Sequence, residues 1–226
     1  MYDNLFFDAD GTLFDFISSE KWALARVFTQ LNIKVDSEAF QTYSQINNAV
    51  WLEFEQNKIT LDELKIERFR RLHAIYNLTE DSTLSATKYE EQLAQSFHLY
   101  DDTIPILKKL TKAGYPLTLI TNGISAVQRG RLVATGTLHY FNTIVISEEI
   151  GFQKPSREYF QKALEMANHA RNPLVIGDSL TSDIKGANNA RLDACWINRY
   201  AMVNNTAIKA KFEITNLKQL LPILGL

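Results

Sequence analysis

The chain has 226 residues, 46% of them hydrophobic, with a net charge of −2. That length holds one large domain or two unequal ones, and that apolar fraction supports a sizeable core and excludes a disordered chain. Near-neutrality supplies no basic surplus for gripping a nucleic-acid polymer, although a few local cations can hold a small anion.

The single Cys195 cannot form an internal disulfide; in the apolar run LDACWIN it reads as a buried, unreactive thiol of a reducing compartment. The opening MYDNLFFDAD lacks the basic start of a secretory signal, and no apolar run is long enough for a membrane span. A cytoplasmic protein without membrane contact is the expectation.

The first apolar run, NLFF at 4–7, is short and uninterrupted, as a strand buried on both faces requires. From 15 to 100 only helical patterns occur. A helix over about 18–31 carries Leu24, Phe28 and Leu31 on one stripe. TLDELKIERFRRLHAIY opens with a capping box, Thr60 with Glu63. Its apolar residues Leu61, Leu64, Phe69, Leu72, Ile75 and Tyr76 keep a helical period. After residue 100, helices and strands alternate. Helices are expected at 103–113, 124–135, 156–169 and 180–190, the first with Pro105 in its opening turn and Gly114 to close it. Strands are expected at PLTLI (116–120), TIVI (143–146), PLVI (173–176), ACWI (194–197) and, more weakly, KFEI (211–214). Such alternation folds through right-handed crossovers into an α/β, doubly wound parallel sheet with a Rossmann-like core. The expected core is therefore 1–14 with 101–226, and 15–100 is an inserted all-helical cap.

Polar clusters follow four of the strand regions: Asp8 and Asp10, Thr121 and Asn122 in ITNG, Lys154 in GFQKP, and Asp178 and Asp183 in GDSLTSD. In an open parallel sheet, ligands bind outside the carboxyl ends of the strands, so these clusters converge on one crevice. Several carboxylates beside one lysine repel each other unless a hard cation sits among them, and oxygen ligands suit Mg²⁺. Cation and lysine together would neutralise a phosphate whose oxygens Thr121 and nearby amides could hold. One carboxylate can then attack phosphorus, while a second protonates the leaving alcohol and deprotonates the hydrolytic water.

Four motifs in this order, DADGTLF, ITNG, KP and GDSLTSD, resemble those of the haloacid dehalogenase-type phosphohydrolase superfamily in its helical-cap subclass. The resemblance implies Asp8 as nucleophile, Asp10 as acid/base, and Mg²⁺ bound by Asp8, Asp178 and the Asp10 carbonyl. It implies phosphate binding by Thr121, Asn122 and Lys154, with Asp183 in support. Asp10 favours phosphate transfer over dehalogenation, because a departing halide needs no proton whereas an alkoxide does. Phosphonate hydrolysis would want a Schiff-base lysine in the cap, and Lys21 sits in an ordinary amphipathic helix.

The stretches FFDADGTLFDF, NNAVWLEFEQNKIT, ITNG, VISEEIGFQKP and CWIN are similar to bacterial house-cleaning pyrimidine 5′-nucleotidases. That similarity implies a small-molecule nucleotide substrate such as dUMP, dTMP, UMP or a non-canonical analogue. Phe14, Phe16, Asn47 and Trp51 are the candidates for substrate specificity, with Trp51 beside Asn47 suited to stacking on a base. A sugar-phosphate phosphatase or phosphomutase, and a non-catalytic scaffold, are the rival readings. Monomer and homodimer both remain open.

Overall fold

The computed structural model describes residues 2–226. β1 (Asn4–Asp8) is followed by four helices, α1 (Phe16–Gln30), α2 (Glu38–Glu55), α3 (Leu61–Tyr76) and α4 (Ser82–Leu93). Then come α5 (Thr103–Lys112), β2 (Leu117–Thr121), α6 (Ser125–Ala134), β3 (Thr143–Ile146), α7 (Ser147–Ile150) and α8 (Arg157–Met166). The chain ends through β4 (Pro173–Gly177), α9 (Lys185–Asn189), β5 (Asp193–Ile197), β6 (Phe212–Ile214) and α10 (Leu220–Leu224). Among the described residues, no helix is long and apolar enough to cross a membrane.

All six strands join one parallel sheet in the order β3-β2-β1-β4-β5-β6. The order reverses between β1 and β4, and in open α/β sheets the carboxyl ends of the strands at such a point are where ligands bind. Alternate side chains of β1 feed two cores, as a strand period of two dictates. Leu5 and Phe7 pack with Leu107, Leu119, Leu174 and Ile176 on one face. Phe6 packs with Ile120, Val145, Phe160 and Val175 on the other. The central strands β1, β2 and β4 are buried throughout, which is why they read as largely apolar runs. Each expected strand lies within one residue of the observed one.

The helix expected over 180–190 is divided. Leu180–Ile184 form a π-type turn before α9 begins, with Ile184 N–H donating to Ser179 O at 3.1 Å. The extra residue in that turn redirects Asp183, and such bulges concentrate at functional sites. Cys195 is wholly buried in β5, and burial pushes its thiol up to about 12, which leaves it inert at neutral pH.

The chain divides into two compact units, one ending at Phe16 and resuming at His98 through Leu226, the other Ile17–Phe97. In the helical unit the capping box is present, with Thr60 N–H donating to Glu63 Oε2 at 2.7 Å and Glu63 N–H to Thr60 Oγ1 at 3.2 Å. The rings of Tyr43, Phe69 and Tyr89 meet at centroid separations of 5.0–5.4 Å. A polar knot lies beside them. Buried Glu20 accepts from Ser44 Oγ and, at 2.9 Å, from Asn47 Nδ2. Buried Arg68 donates to Asn47 Oδ1 at 3.5 Å and pairs with Glu90 at 3.3 Å.

Candidate active site

β1 ends on Asp8, and the chain then doubles back. Leu13 and Phe14 N–H both donate to Ala9 O at 2.9 Å, and Gly11 N–H donates to Phe14 O at 3.0 Å. Gly11 has φ +80°, and a Cβ there would land on the Asp178 carboxylate, so this position needs glycine twice over. Thr103 Oγ1 and Arg199 Nη2, each at 2.8 Å, pin the carbonyls of Leu13 and Thr12 from outside the loop.

Register brings the remaining groups to the same level. Asp8 lies opposite Ile120, so Thr121 stands one residue beyond it on β2. Phe7 lies opposite Ile176, so Gly177 and then Asp178 follow at the neighbouring end of β4. A Cβ at Gly177 would collide with the Asp183 side chain, which sits where that atom would be. Asn122 brackets the backbone of Lys154: its Nδ2 donates to Lys154 O at 2.9 Å and its Oδ1 accepts from Lys154 N–H at 2.8 Å. Thus the turn after β2 sets the position of the lysine that follows α7. Lys154 Nζ then spends all three protons, on Asp8 Oδ1 at 2.6 Å, Asp183 Oδ1 at 2.7 Å and Ile120 O at 3.3 Å.

Asp8, Asp178 and Asp183 each offer a carboxylate oxygen within 4.8 Å of the other two. Three acids beside one ammonium leave an excess of negative charge. Burial, then the charge of Asp183, push Asp8 up to about 7, with Lys154 opposing. Asp178, whose side chain still reaches solvent, is pushed well above the ordinary carboxylate range by loss of water and then by Asp8 and Asp183. Burial alone would lower Lys154, but Asp183 and Asp8 outweigh it and hold the ammonium charged. Among the described residues no cation pairs directly with Asp178, whereas Asp8 and Asp183 share Lys154. Hard oxygen donors, surplus charge and two glycines that let the carboxylates close in make a set that fits Mg²⁺.

The structure brings Asp8, Thr121, Lys154, Asp178 and Asp183 together. Thr121 is buried, its Oγ1 accepting from Gly123 N–H at 3.0 Å. Asn122 comes with them, but its side chain is taken up by the Lys154 backbone, leaving only its main chain for an anion. Asp10 stands apart from the acidic trio. Its Oδ2 accepts from Gln128 Nε2 at 2.6 Å, and its Oδ1 pairs with Arg131 of α6.

Two of the specificity candidates need correction. Phe14 is buried beneath the Arg131 guanidinium, 4.1 Å from ring centroid to Cζ, and has no surface for a ligand. Asn47 is buried within the helical unit, where its amide is spent on Glu20 and Arg68. Phe16 and Trp51 are both partly exposed, and Trp51 meets Phe54 edge-on at 5.7 Å.

Gln128 and Arg131 escaped the sequence reading, although a signal was present. Ile124, Val127, Gln128, Arg131 and Leu132 are all buried and follow a helical stripe. An amide and a guanidinium inside an apolar stripe need buried partners.

The sequence model of the haloacid dehalogenase-like hydrolases matches residues 2–191. The HAD-hydrolase YfnB of Bacillus subtilis is 37% identical over 100% of this chain and 96% of its own length. Its crystal structure, described as bound to magnesium, superposes with a TM-score of 0.94 over 100% of this chain and 99% of that one, at 36% identity. The pyrimidine 5′-nucleotidase PynA of Streptococcus pneumoniae is 35% identical over 99% of this chain and 95% of its own. The pyrimidine 5′-nucleotidase YjjG of Escherichia coli is 32% identical over 97% and 96%. With the acidic trio and its lysine at the strand ends, and likeness running along the whole chain, this protein belongs to the haloacid dehalogenase-like hydrolase family.

Proposed function

We propose that the chain is a Mg²⁺-dependent phosphoric monoester hydrolase acting in the cytoplasm on pyrimidine nucleoside 5′-monophosphates, dUMP, dTMP and UMP among them. The observation that carries the reading is the meeting of Asp8, Thr121, Lys154 and Asp178, from four adjacent strands, at the point where strand order reverses. A carboxylate, a hydroxyl, a charged ammonium and an acidic trio able to hold a cation together suit an anionic phosphoryl group.

In this reading an Asp8 oxygen attacks phosphorus as the bond to the 5′-oxygen breaks, and Asp10 gives that oxygen its proton. The nucleoside leaves and an aspartyl-phosphate remains. Asp10 then removes a proton from water, whose oxygen attacks the same phosphorus, and the bond to Asp8 breaks. Phosphate departs with the carboxylate restored. Mg²⁺ held by Asp8, Asp178 and the Asp10 carbonyl would supply positive charge against the phosphoryl oxygens and keep Asp8 ionised. Lys154 supplies a second charge, with Asp183 fixing its ammonium. Thr121 and the amides of its turn are the proposed neutral donors.

Similarity to PynA and YjjG supports the choice of nucleotide, since it spans the helical unit as well as the sheet. The helical unit is proposed as the cap that selects substrate, and Trp51 and Phe16 are each proposed as specificity residues. The test is a panel of phosphomonoesters with Mg²⁺. Pyrimidine nucleotides should exceed hexose phosphates in kcat/KM by about 10² or more. Preference for hexose phosphates would make the chain a sugar-phosphate enzyme, and inertness toward all of them with Mg²⁺ bound would make it a scaffold.

A further inference from the structure

Arg131 is fully buried, and its guanidinium meets the Asp10 carboxylate. It cannot reach out to a substrate. One turn earlier on α6, Gln128 is buried with its Nε2 donating to the other oxygen of Asp10 at 2.6 Å. The same Gln128 amide fills the space a Cβ at Gly123 would occupy, so α6 packs at once against the ITNG turn and against Asp10. Phe14, from the loop that carries Asp10, closes over the guanidinium at 4.1 Å. Both donors approach the carboxylate from the protein side. Each carboxylate oxygen keeps a second lone pair, and 30% of the Asp10 side chain is exposed.

We propose that Arg131 and Gln128 are positioning residues for Asp10: they fix its carboxylate so that its free lone pairs face the leaving and entering oxygens. Their role is to set where the carboxylate points. That role rests on the phosphoryl-transfer reading above and adds to it the two residues that aim its proton donor. Arg131 makes a bond to one oxygen and Gln128 to the other, so rotation about the last torsion of Asp10 is blocked from both sides. Losing either leaves the carboxylate held at one oxygen only and looser about its last torsion, and small misplacements of reacting groups can cost about 10² in rate.

The test compares two substrates in Arg131→Met, Arg131→Lys and Gln128→Leu. A nucleoside 5′-phosphate expels an alkoxide that needs a proton, whereas p-nitrophenyl phosphate expels a phenolate that does not. kcat/KM covers events only up to departure of the leaving group, so later hydrolysis of the aspartyl-phosphate drops out. The ratio of kcat/KM for nucleotide over aryl ester should fall by about 10–100-fold in Arg131→Met and by about 3–10-fold in Gln128→Leu, with partial recovery in Arg131→Lys. Adding Arg131→Met to Asp10→Asn should leave the ratio of Asp10→Asn unchanged, because Arg131 acts through Asp10. The ratio does not depend on how much of a variant is folded. A ratio equal to wild type in all three variants, with both substrates falling together, would make the pair purely structural and overturn the proposal. A wild-type enzyme inert toward both esters would remove the phosphatase reading beneath it, and the proposal with it.

Discussion

Replacing Asp8 with asparagine takes one charge out of a buried, crowded trio, and its effect on stability should depend on pH in a direction that Asp8 dictates. In the ligand-free protein, burial and Asp183 raise Asp8 from 3.8 to about 7. The folded state therefore retains a proton that the unfolded chain releases. Stabilisation from that proton is complete below pH 3.8 and is lost as pH rises through about 7. The difference, 7 − 3.8, converts at ~1.36 kcal/mol per pH unit to about 4 kcal/mol. Asp178 is raised by the same neighbours, so the two share part of the effect, and the share that Asp8→Asn removes is about 2–4 kcal/mol. Lys154 stays charged throughout and adds no slope. With chelator present, urea unfolding of both proteins should show Asp8→Asn gaining about 2–4 kcal/mol on wild type between about pH 4 and pH 8. The same variant should have lost phosphatase turnover while keeping its fold. Parallel stability curves across that range would refute the argument, because Asp8 would then not be burdened by its neighbours.

Mg²⁺ competes with protons for Asp8 and Asp178, so its stabilising effect should grow as pH rises from about 5 to 8. At a hundredfold excess over Kd it should approach about 2.7 kcal/mol, followed by thermal melts; equal gains at both pH values would count against the site. Gly11→Ala forces a left-handed backbone on alanine and drives a methyl group into the Asp178 carboxylate. It should cost about 1–2 kcal/mol in a urea melt and blunt the Mg²⁺ response, and an undiminished response would contradict the role given to that approach. In the helical unit, Arg68→Met leaves Glu20 and Glu90 without their buried cation and should cost about 3 kcal/mol; a loss under about 1 kcal/mol would show that Glu20 simply takes up a proton.

Much of the sheet could be read from the chain because its strands are buried on both faces. Such strands are largely apolar, and NLFF and TIVI therefore stand out against polar flanks. The capping box at Thr60 was legible for a similar reason, since both halves of its reciprocal hydrogen bonding lie three residues apart. The polar groups at the strand ends were legible from place and type together. A parallel register needs no long-range knowledge to put the residue after each strand at a common edge. What hid was everything that depends on a partner far along the chain. The π-type turn at Leu180–Ile184 follows from Asp183 turning back to Ser179 N–H and across to Lys154, and only the second of those bonds crosses sequence distance.

The same limit explains the polar residues inside the helices. Glu20 and Arg68 lie on the buried stripes of α1 and α3, and Gln128 and Arg131 on that of α6. A periodicity reading counts apolar residues and passes over a charge among them, or assigns it to the solvent side. Yet burial of a charge without a partner is too costly to persist, so each such residue announces a second residue that must meet it. In α1 and α3 the partners are found within the helical unit, and the result is a structural knot that withdraws Asn47 from any ligand. In α6 the partner is Asp10, which also carries an exposed face in the candidate active site. A buried cation whose counterion is spent internally supports the fold; one whose counterion faces substrate can also govern chemistry. That difference in the partner, and nothing in the stripe itself, separates Arg131 from Arg68.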